Sequence, residues 1–151
     1  MPPTETDTIQ DLLPRTTESV EETLALGARI ASMLGPGAVL ALYGNLGSGK
    51  THFVKGIAEG LGVPPAEVRS PTFTILSVYD EGERPLYHFD AYRVHTPDEF
   101  VELGFEEYVH GDGITCIEWA DRIPDLLPPD TVHLQFHHVA PVKRRVTLGN
   151  R

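Results

Sequence analysis

The sequence predicts an α/β fold, a single three-layer domain built around a mixed, partly parallel sheet. Residues 39–43 form an apolar run typical of a buried strand, and a glycine-rich loop and an amphipathic helical pattern follow directly. Residues 73–90 read as two alternating strands joined by a turn, which indicates an antiparallel hairpin. Strands that alternate with helices favour parallel pairing, so the added hairpin makes the predicted sheet mixed.

The glycine-rich loop fits the pattern G-x-x-x-x-G-K-[S/T] at every fixed position. Glycine lets the backbone approach a ligand closely, and the N–H groups of the loop and of the following helix attract phosphate. In this pattern the lysine reaches the terminal phosphates and the hydroxyl binds Mg²⁺. The predicted nucleotide-binding residues here are Gly44, Asn45, Leu46, Gly47, Ser48, Gly49, Lys50 and Thr51.

Composition limits the possible partners. The chain has 151 residues, with 12 Lys and Arg against 22 Asp and Glu, for a net charge of −10. Proteins that bind nucleic acid without a partner protein usually present a basic face. The one basic candidate is the cluster Lys143–Arg145 with Arg151, which a solvated edge strand explains equally well. The single cysteine, the acidic N-terminus and the lack of a long apolar run predict a cytoplasmic protein without internal disulfide or membrane span.

The remaining elements follow in order along the chain. Residues 1–14 are predicted to be a flexible segment, and residues 15–151 to form the domain. A helix is expected from Ser19, where Glu22 completes the capping-box spacing, to the breaker at 35–37. Further helical stretches are expected over 96–109 and 120–127. The pattern predicts a buried strand at 114–119 and two closing, antiparallel strands at 132–137 and 144–148.

Two apolar strands end on an acid, Asp90 and Glu118. A nucleotide site needs an acid to hold Mg²⁺ and a group to orient the attacking water. We expect Glu118 on the metal side, because its strand is the more continuous, and Asp90 beside the water, although the reverse assignment stays open here. Thr72 lies in a loop able to close over a terminal phosphate, and a plain turn before a strand is the alternative. Trp119 is a candidate wall of the site, and a position in the core is the alternative for so large an aromatic side chain.

The class of nucleotide follows from absent motifs. No N-K-x-D or D-x-x-G stretch follows the loop, which disfavours GTP and leaves ATP as the expected nucleotide. A small-molecule kinase would need a substrate lid, often rich in arginine, and residues 91–113 hold one arginine. A partner-coupled ATPase fits the small size better. The kinase, and a binding module without hydrolysis, remain as alternatives.

Four motifs in fixed order resemble one bacterial family: the phosphate loop, Ser70-Pro71-Thr72-Phe73, residues 87–93 (YHFDAYR) and Ile117-Glu118-Trp119. Together they make the chain similar to the TsaE family, the ATPases of the tRNA threonylcarbamoyladenosine system. The resemblance implies a P-loop NTPase fold that binds ATP and Mg²⁺, with Glu118 and Thr51 on the metal. It places Asp90, Thr72 and Lys50 at the catalytic end, with Trp119 beside the nucleotide. By its position in the last strand, Arg145 is expected to reach the nucleotide.

The resemblance also implies partners. TsaB and TsaD form the complex that places the threonylcarbamoyl group on adenosine 37 of tRNA, and a TsaE-like ATPase is expected to reset that complex between turnovers. The acidic charge agrees with tRNA being bound only indirectly, through the partners.

Overall fold

The computed structural model describes residues 8–45 and 48–149. The helices and strands, in chain order, are α1 (Ile9–Leu12), β1 (Arg15–Thr17), α2 (Val20–Ala31), β2 (Val39–Tyr43), α3 (Lys50–Gly60), β3 (Leu76–Tyr79), β4 (Leu86–Asp90), α4 (Asp98–Glu102), α5 (Phe105–Val109), β5 (Ile114–Glu118), β6 (Val132–Ala140) and β7 (Lys143–Leu148). None of the helices in these two ranges is long and apolar enough to cross a membrane.

The seven strands form one sheet in the order β1-β7-β6-β2-β5-β4-β3. In its centre, β2 runs parallel to both β5 and β6, and β5 runs parallel to β4. The two edges are antiparallel, with β3 against β4 on one side and β6, β7 and β1 on the other. The predicted mixed sheet, the predicted hairpin and the predicted closing pair are therefore confirmed.

The sheet separates two apolar layers. On one face, Leu40 and Leu42 of β2 belong to a cluster with residues of α2 and α3. On the other face, Val39 and Ala41 belong to a cluster with residues of α4 and α5. Successive side chains of a strand point to opposite faces, so a strand with both faces covered is apolar throughout. This explains why all five residues of β2 are buried.

Small residues let α2 pack closely on α3, the helix that follows the phosphate loop. A Cβ atom placed on Gly56 of α3 would lie 2.2 Å from the carbonyl oxygen of Leu24, and one on Gly27 of α2 would lie 2.5 Å from that of Phe53. Either methyl group would push the helices apart. The contact fixes where α3 begins relative to the sheet.

Residues 8–13, which lie in the segment expected to be flexible, form a capped helix that packs against the domain. Thr8 and Asp11 form a capping box around α1, and Leu12 and Leu13 are 8% and 7% exposed within the core. Two adjacent leucines bring enough apolar area to hold a four-residue helix against the domain. Residues 1–7 lie outside the described part of the chain.

One helix differs from its prediction. Residues 120–127 form two short 3₁₀ turns, Ala120–Arg122 and Pro124–Leu126, instead of one helix. Pro124 lacks the N–H that a continuous helix would need at that point.

Candidate functional site

The candidate site lies at the carboxyl edge of the parallel strands. Asp90 and Glu118 end β4 and β5 and are direct neighbours in the register, and Leu42 of β2 pairs with Glu118. The chain leaves β2 at this edge and enters α3 at Lys50. Both predicted acids and the phosphate loop therefore meet at one place, where ligands of open α/β sheets bind.

Two glycines shape the loop. Gly44 has φ of 147° and Gly49, at the N-terminus of α3, has φ of 100°. A Cβ atom on Gly44 would lie 2.7 Å from both the carbonyl oxygen of Phe136 and the hydroxyl of Ser48. That buried hydroxyl has no hydrogen-bond partner among the described residues. Asn45 is exposed, and the predicted positions of Leu46 and Gly47 lie outside the described residues.

Lys50 is a buried cation at the first position of α3, with 4% of its surface exposed. Its Nζ donates to the carbonyl of Gly44 and lies 3.8 Å from the centre of the Trp119 ring. Burial lowers the pKa of Lys50, and the charges of Glu118, Asp90 and Asp121 oppose that shift in decreasing order. The ammonium has therefore lost more hydration than its neighbours replace.

Thr51 contacts Glu118 across the cleft. Its Oγ1 lies 3.1 Å from Oε2 and 3.3 Å from Oε1 of Glu118, which is 3% exposed. Oε2 also lies 2.7 Å from Nε2 of His88 on the neighbouring strand. Hydroxyl and carboxylate oxygens are the ligands that Mg²⁺ prefers, so this pair has suitable chemistry.

Asp90 forms a separate, hydrogen-bonded group with the loop before β3. Its Oδ2 accepts from the hydroxyls of Ser70, at 3.1 Å, and Thr72, at 3.0 Å. Its Oδ1 accepts from the backbone N–H of Tyr92 at 2.8 Å, and the residue is 1% exposed. The structure thus brings Thr72 beside Asp90 and holds the carboxylate in a single orientation.

Trp119 adopts a left-handed backbone conformation, with φ of 59°. This conformation is strained for a residue with a side chain. Its ring contacts the Nζ atom of Lys50, and the centre of the Tyr92 ring lies 4.9 Å from its own. The strained turn after β5 therefore places an aromatic wall beside the phosphate loop.

Two adjoining cavities open onto these groups. The first, of about 370 Å³, is lined by Lys50, Thr51, Asp90 and Glu118 among others. The second, of about 570 Å³, runs from Tyr43 and Gly44 along β6, and both cavities touch Ser48 and Trp119. Each falls in the size range of small-ligand sites.

The structure corrects one predicted site residue. Arg144, not Arg145, lines the smaller cavity. A Cβ atom placed on Gly49 would lie 3.4 Å from Cγ of Arg144, so the arginine side chain packs directly on the phosphate loop. Arg145 is exposed, while Val146 is buried in the core on the α2–α3 side. Alternate residues of a strand share a face, so Arg144 lies on the same face of β7 as Val146, and Arg145 lies on the opposite face.

Sequence reasoning missed three side chains of the site: His88, Ser70 and Arg144. The seven histidines of the sequence show no metal-ligand spacing, so spacing alone does not single out His88. The available signal for His88 was its place two residues before Asp90, hence on the same face of β4. Ser70 stands two residues before Thr72 in the same short loop.

Comparisons with known proteins identify the family of the chain. The family model described as "Threonylcarbamoyl adenosine biosynthesis protein TsaE" matches residues 17–146. The Bacillus subtilis (strain 168) "tRNA threonylcarbamoyladenosine biosynthesis protein TsaE" is 44% identical over 138 residues, which cover 89% of this chain and 85% of that protein. The protein of the same name from Treponema pallidum (strain Nichols) is 40% identical over 131 residues, covering 87% of this chain and 96% of that protein.

A solved structure shows the same architecture. The crystal structure of Bacillus subtilis YdiB matches with a TM-score of 0.73 and 39% identity, covering 92% of this chain and 87% of that one. The predicted P-loop NTPase fold is thereby confirmed. The family match spans most of the sequence, including every described element of the site, and the chain therefore belongs to the TsaE family of threonylcarbamoyl adenosine biosynthesis proteins.

Proposed function

We propose that this protein is a Mg²⁺-dependent ATPase that serves the biosynthesis of N6-threonylcarbamoyladenosine at position 37 of tRNA. Its relatives carry names from that system. One observation carries the proposal: the glycine-rich loop, the Thr51–Glu118 pair and the oriented Asp90 carboxylate meet at one sheet edge. That combination suits nucleotide hydrolysis more than simple binding.

The residues present fit a phosphate chain with Mg²⁺. The Ser48 hydroxyl, unpartnered within the described chain, and the under-hydrated ammonium of Lys50 both gain from an anionic partner. No three His, Cys, Asp or Glu side chains within 8–45 and 48–149 are grouped to hold a metal. Mg²⁺ is usually bound through one or two carboxylates, with waters and substrate phosphates as its other ligands. Here Glu118 would supply the carboxylate and Thr51 a hydroxyl oxygen. The ion would neutralise charge on the phosphate oxygens when bound.

We assign Asp90 to the attacking water. Its carboxylate is held on both oxygens by Thr72, Ser70 and the Tyr92 N–H, so it presents a fixed acceptor to the cavity. Hydrolysis forms a bond between the water oxygen and the terminal phosphorus and breaks the bond to ADP. Asp90 accepts the proton of the water as phosphate is released. Lys50 balances the negative charge that spreads over the phosphate oxygens.

We further propose that the hydrolysis resets a complex of TsaB and TsaD between rounds of tRNA modification. Residues 91–113 hold one arginine, too few for the arginine-rich lid of a small-molecule kinase, so we assign the energy of hydrolysis to a partner. The net charge of −10 supports tRNA being held by the partners rather than by this chain. Hydrolysis by the isolated protein is accordingly slow.

The test is multi-turnover tRNA modification reconstituted from TsaB, TsaD and this protein. Lys50→Ala should stop modification after about one round per complex, as omission of the protein should, because the phosphate cradle loses its cation. Lys55→Ala removes the same charge from the same helix, away from both cavities, and should modify as wild type. Equal rates in all four reactions would refute the proposal. Terminal phosphate recovered on a metabolite instead of as free phosphate would favour a kinase.

A further inference from the structure

The imidazole of His88 is the least expected polar group of the site. The side chain is fully buried on β4, and Nε2 lies 2.7 Å from Oε2 of Glu118. The register pairs His88 with Cys116, so Glu118 stands two residues further along β5 on the same face. That face packs against α2 and α3, where Leu86 and Cys116 belong to the apolar cluster.

The other ring nitrogen makes His88 a poor choice for packing alone. Nδ1 is buried and has no hydrogen-bond partner among the described residues. An apolar side chain of similar volume would fill this space without leaving a polar atom unsatisfied. The value of histidine here therefore lies in the bond that Nε2 makes.

That bond restrains the carboxylate of Glu118. The last torsion of a glutamate side chain is broad and nearly unrestricted by its own sterics. Thr51 contacts both carboxylate oxygens at 3.1 and 3.3 Å, which leaves rotation weakly defined, whereas the 2.7 Å contact with a rigid, buried ring is short. Without it, the carboxylate is free to turn toward Lys50, whose pKa its charge raises.

We propose that His88 is a positioning residue: its Nε2–H group holds the Glu118 carboxylate toward Thr51, in the orientation that binds the metal. This inference rests on the proposed function, because it assigns Glu118 to the metal. His88 itself touches neither metal nor nucleotide. Partners of metal ligands act in this way by fixing the ligand's orientation, and their removal typically weakens metal affinity by about 10- to 100-fold.

Two amide variants separate the hydrogen bond from packing. The side-chain nitrogen of His88→Gln stands as many bonds from Cα as imidazole Nε2, whereas that of His88→Asn reaches only as far as Nδ1. Mn²⁺ binding to the protein–ADP complex is measured by electron paramagnetic resonance, and ADP binding in EDTA by calorimetry. We expect His88→Asn to weaken Mn²⁺ binding by about 10-fold or more and His88→Gln to retain most of it. ADP binding in EDTA should stay the same in both variants.

The outcomes are distinct. Equal Mn²⁺ affinity in wild type and folded His88→Asn overturns the positioning role, as does equal loss in both variants. A wild-type chain that binds neither ADP nor Mn²⁺ overturns the proposed function and, with it, this inference. Nitrogen-15 NMR of histidine in the wild-type chain tests the same bond without a variant. A proton on Nε2 of His88 is expected, and a ring with Nε2 unprotonated contradicts the proposal.

Discussion

Replacing Thr51 by valine removes the hydroxyl that joins the phosphate loop to Glu118 and keeps the branched shape of the side chain. The hydroxyl donates to a carboxylate that is 3% exposed, so its loss leaves a buried charge with one partner fewer. His88 remains bound to the same carboxylate. We therefore expect a moderate loss of stability and a larger loss of metal-dependent nucleotide binding.

The size of the effect follows from the geometry. Hydrogen bonds to charged groups contribute about 1.5–3 kcal/mol. The distances of 3.1 and 3.3 Å are longer than those of strong charge-assisted bonds, which places this one at the lower end. A loss of about 1.5 kcal/mol corresponds to a fall in Tm of about 3–6 °C for a chain of this size.

Urea unfolding followed by circular dichroism measures this loss, with Thr51→Ser as the control that keeps the hydroxyl. Each variant is unfolded alone, with ADP, and with ADP plus Mg²⁺. Wild type and Thr51→Ser should gain stability when Mg²⁺ is added to the ADP complex, by about 2.7 kcal/mol at a hundredfold excess over Kd. Thr51→Val should gain little. A valine variant as stable as wild type and equally responsive to Mg²⁺ would refute the role of the Thr51–Glu118 pair.

Three further predictions concern other parts of the chain. Arg144→Ala should weaken ADP binding by about 10-fold in calorimetry, a loss of about 1.4 kcal/mol, while Arg145→Ala, on the opposite face, should not; the reverse ranking would contradict the assignment. Lys50→Met should abolish nucleotide binding without destabilising the protein at pH 7. Burial lowers the pKa of Lys50, so the free-energy cost of keeping the lysine charged in the folded protein is fully present below its folded pKa. Any gain in unfolding free energy of the methionine variant over wild type should therefore shrink as pH rises toward 10.5. A gain that grows with pH would contradict this. Leu12→Ala should lower the free energy of unfolding, measured in urea, by about 2–3 kcal/mol; no change would mean that α1 does not pack stably on the domain.

The edge of the sheet that carries the candidate site was predictable because parallel strands bring their carboxyl ends together. The apolar runs ending at Tyr43, Asp90 and Glu118 are visible in the sequence, and their convergence follows from a shared sheet. Which side chain touches which was not predictable. The contact between His88 and Glu118 depends on the register of β4 against β5, which the pattern of apolar residues does not define to the single residue.

Arg144 shows a second reason for the limits of prediction. Alternation along β7 puts Arg144 on the face of the buried Val146, but it does not tell which face of the sheet this is; the pairing of β7 with β6 and of β6 with β2 decides that. β1 was missed because Arg15–Thr17 is short and lacks apolar alternation; only its pairing with β7 defines it as a strand. α1 was missed because four residues carry no helical period, although its capping box was present in the sequence.

The most direct test of the proposed function uses Asp90→Asn, which keeps the size of the side chain and removes the proton acceptor. In the reconstituted reaction with TsaB and TsaD, the modified tRNA formed per complex is measured after calorimetry has shown that the variant binds Mg²⁺·ATP. We predict that wild type supports many rounds and that Asp90→Asn stops at about one, because it binds the nucleotide without hydrolysing it. Many rounds with a variant that hydrolyses no ATP would contradict the claim that hydrolysis drives the resetting step.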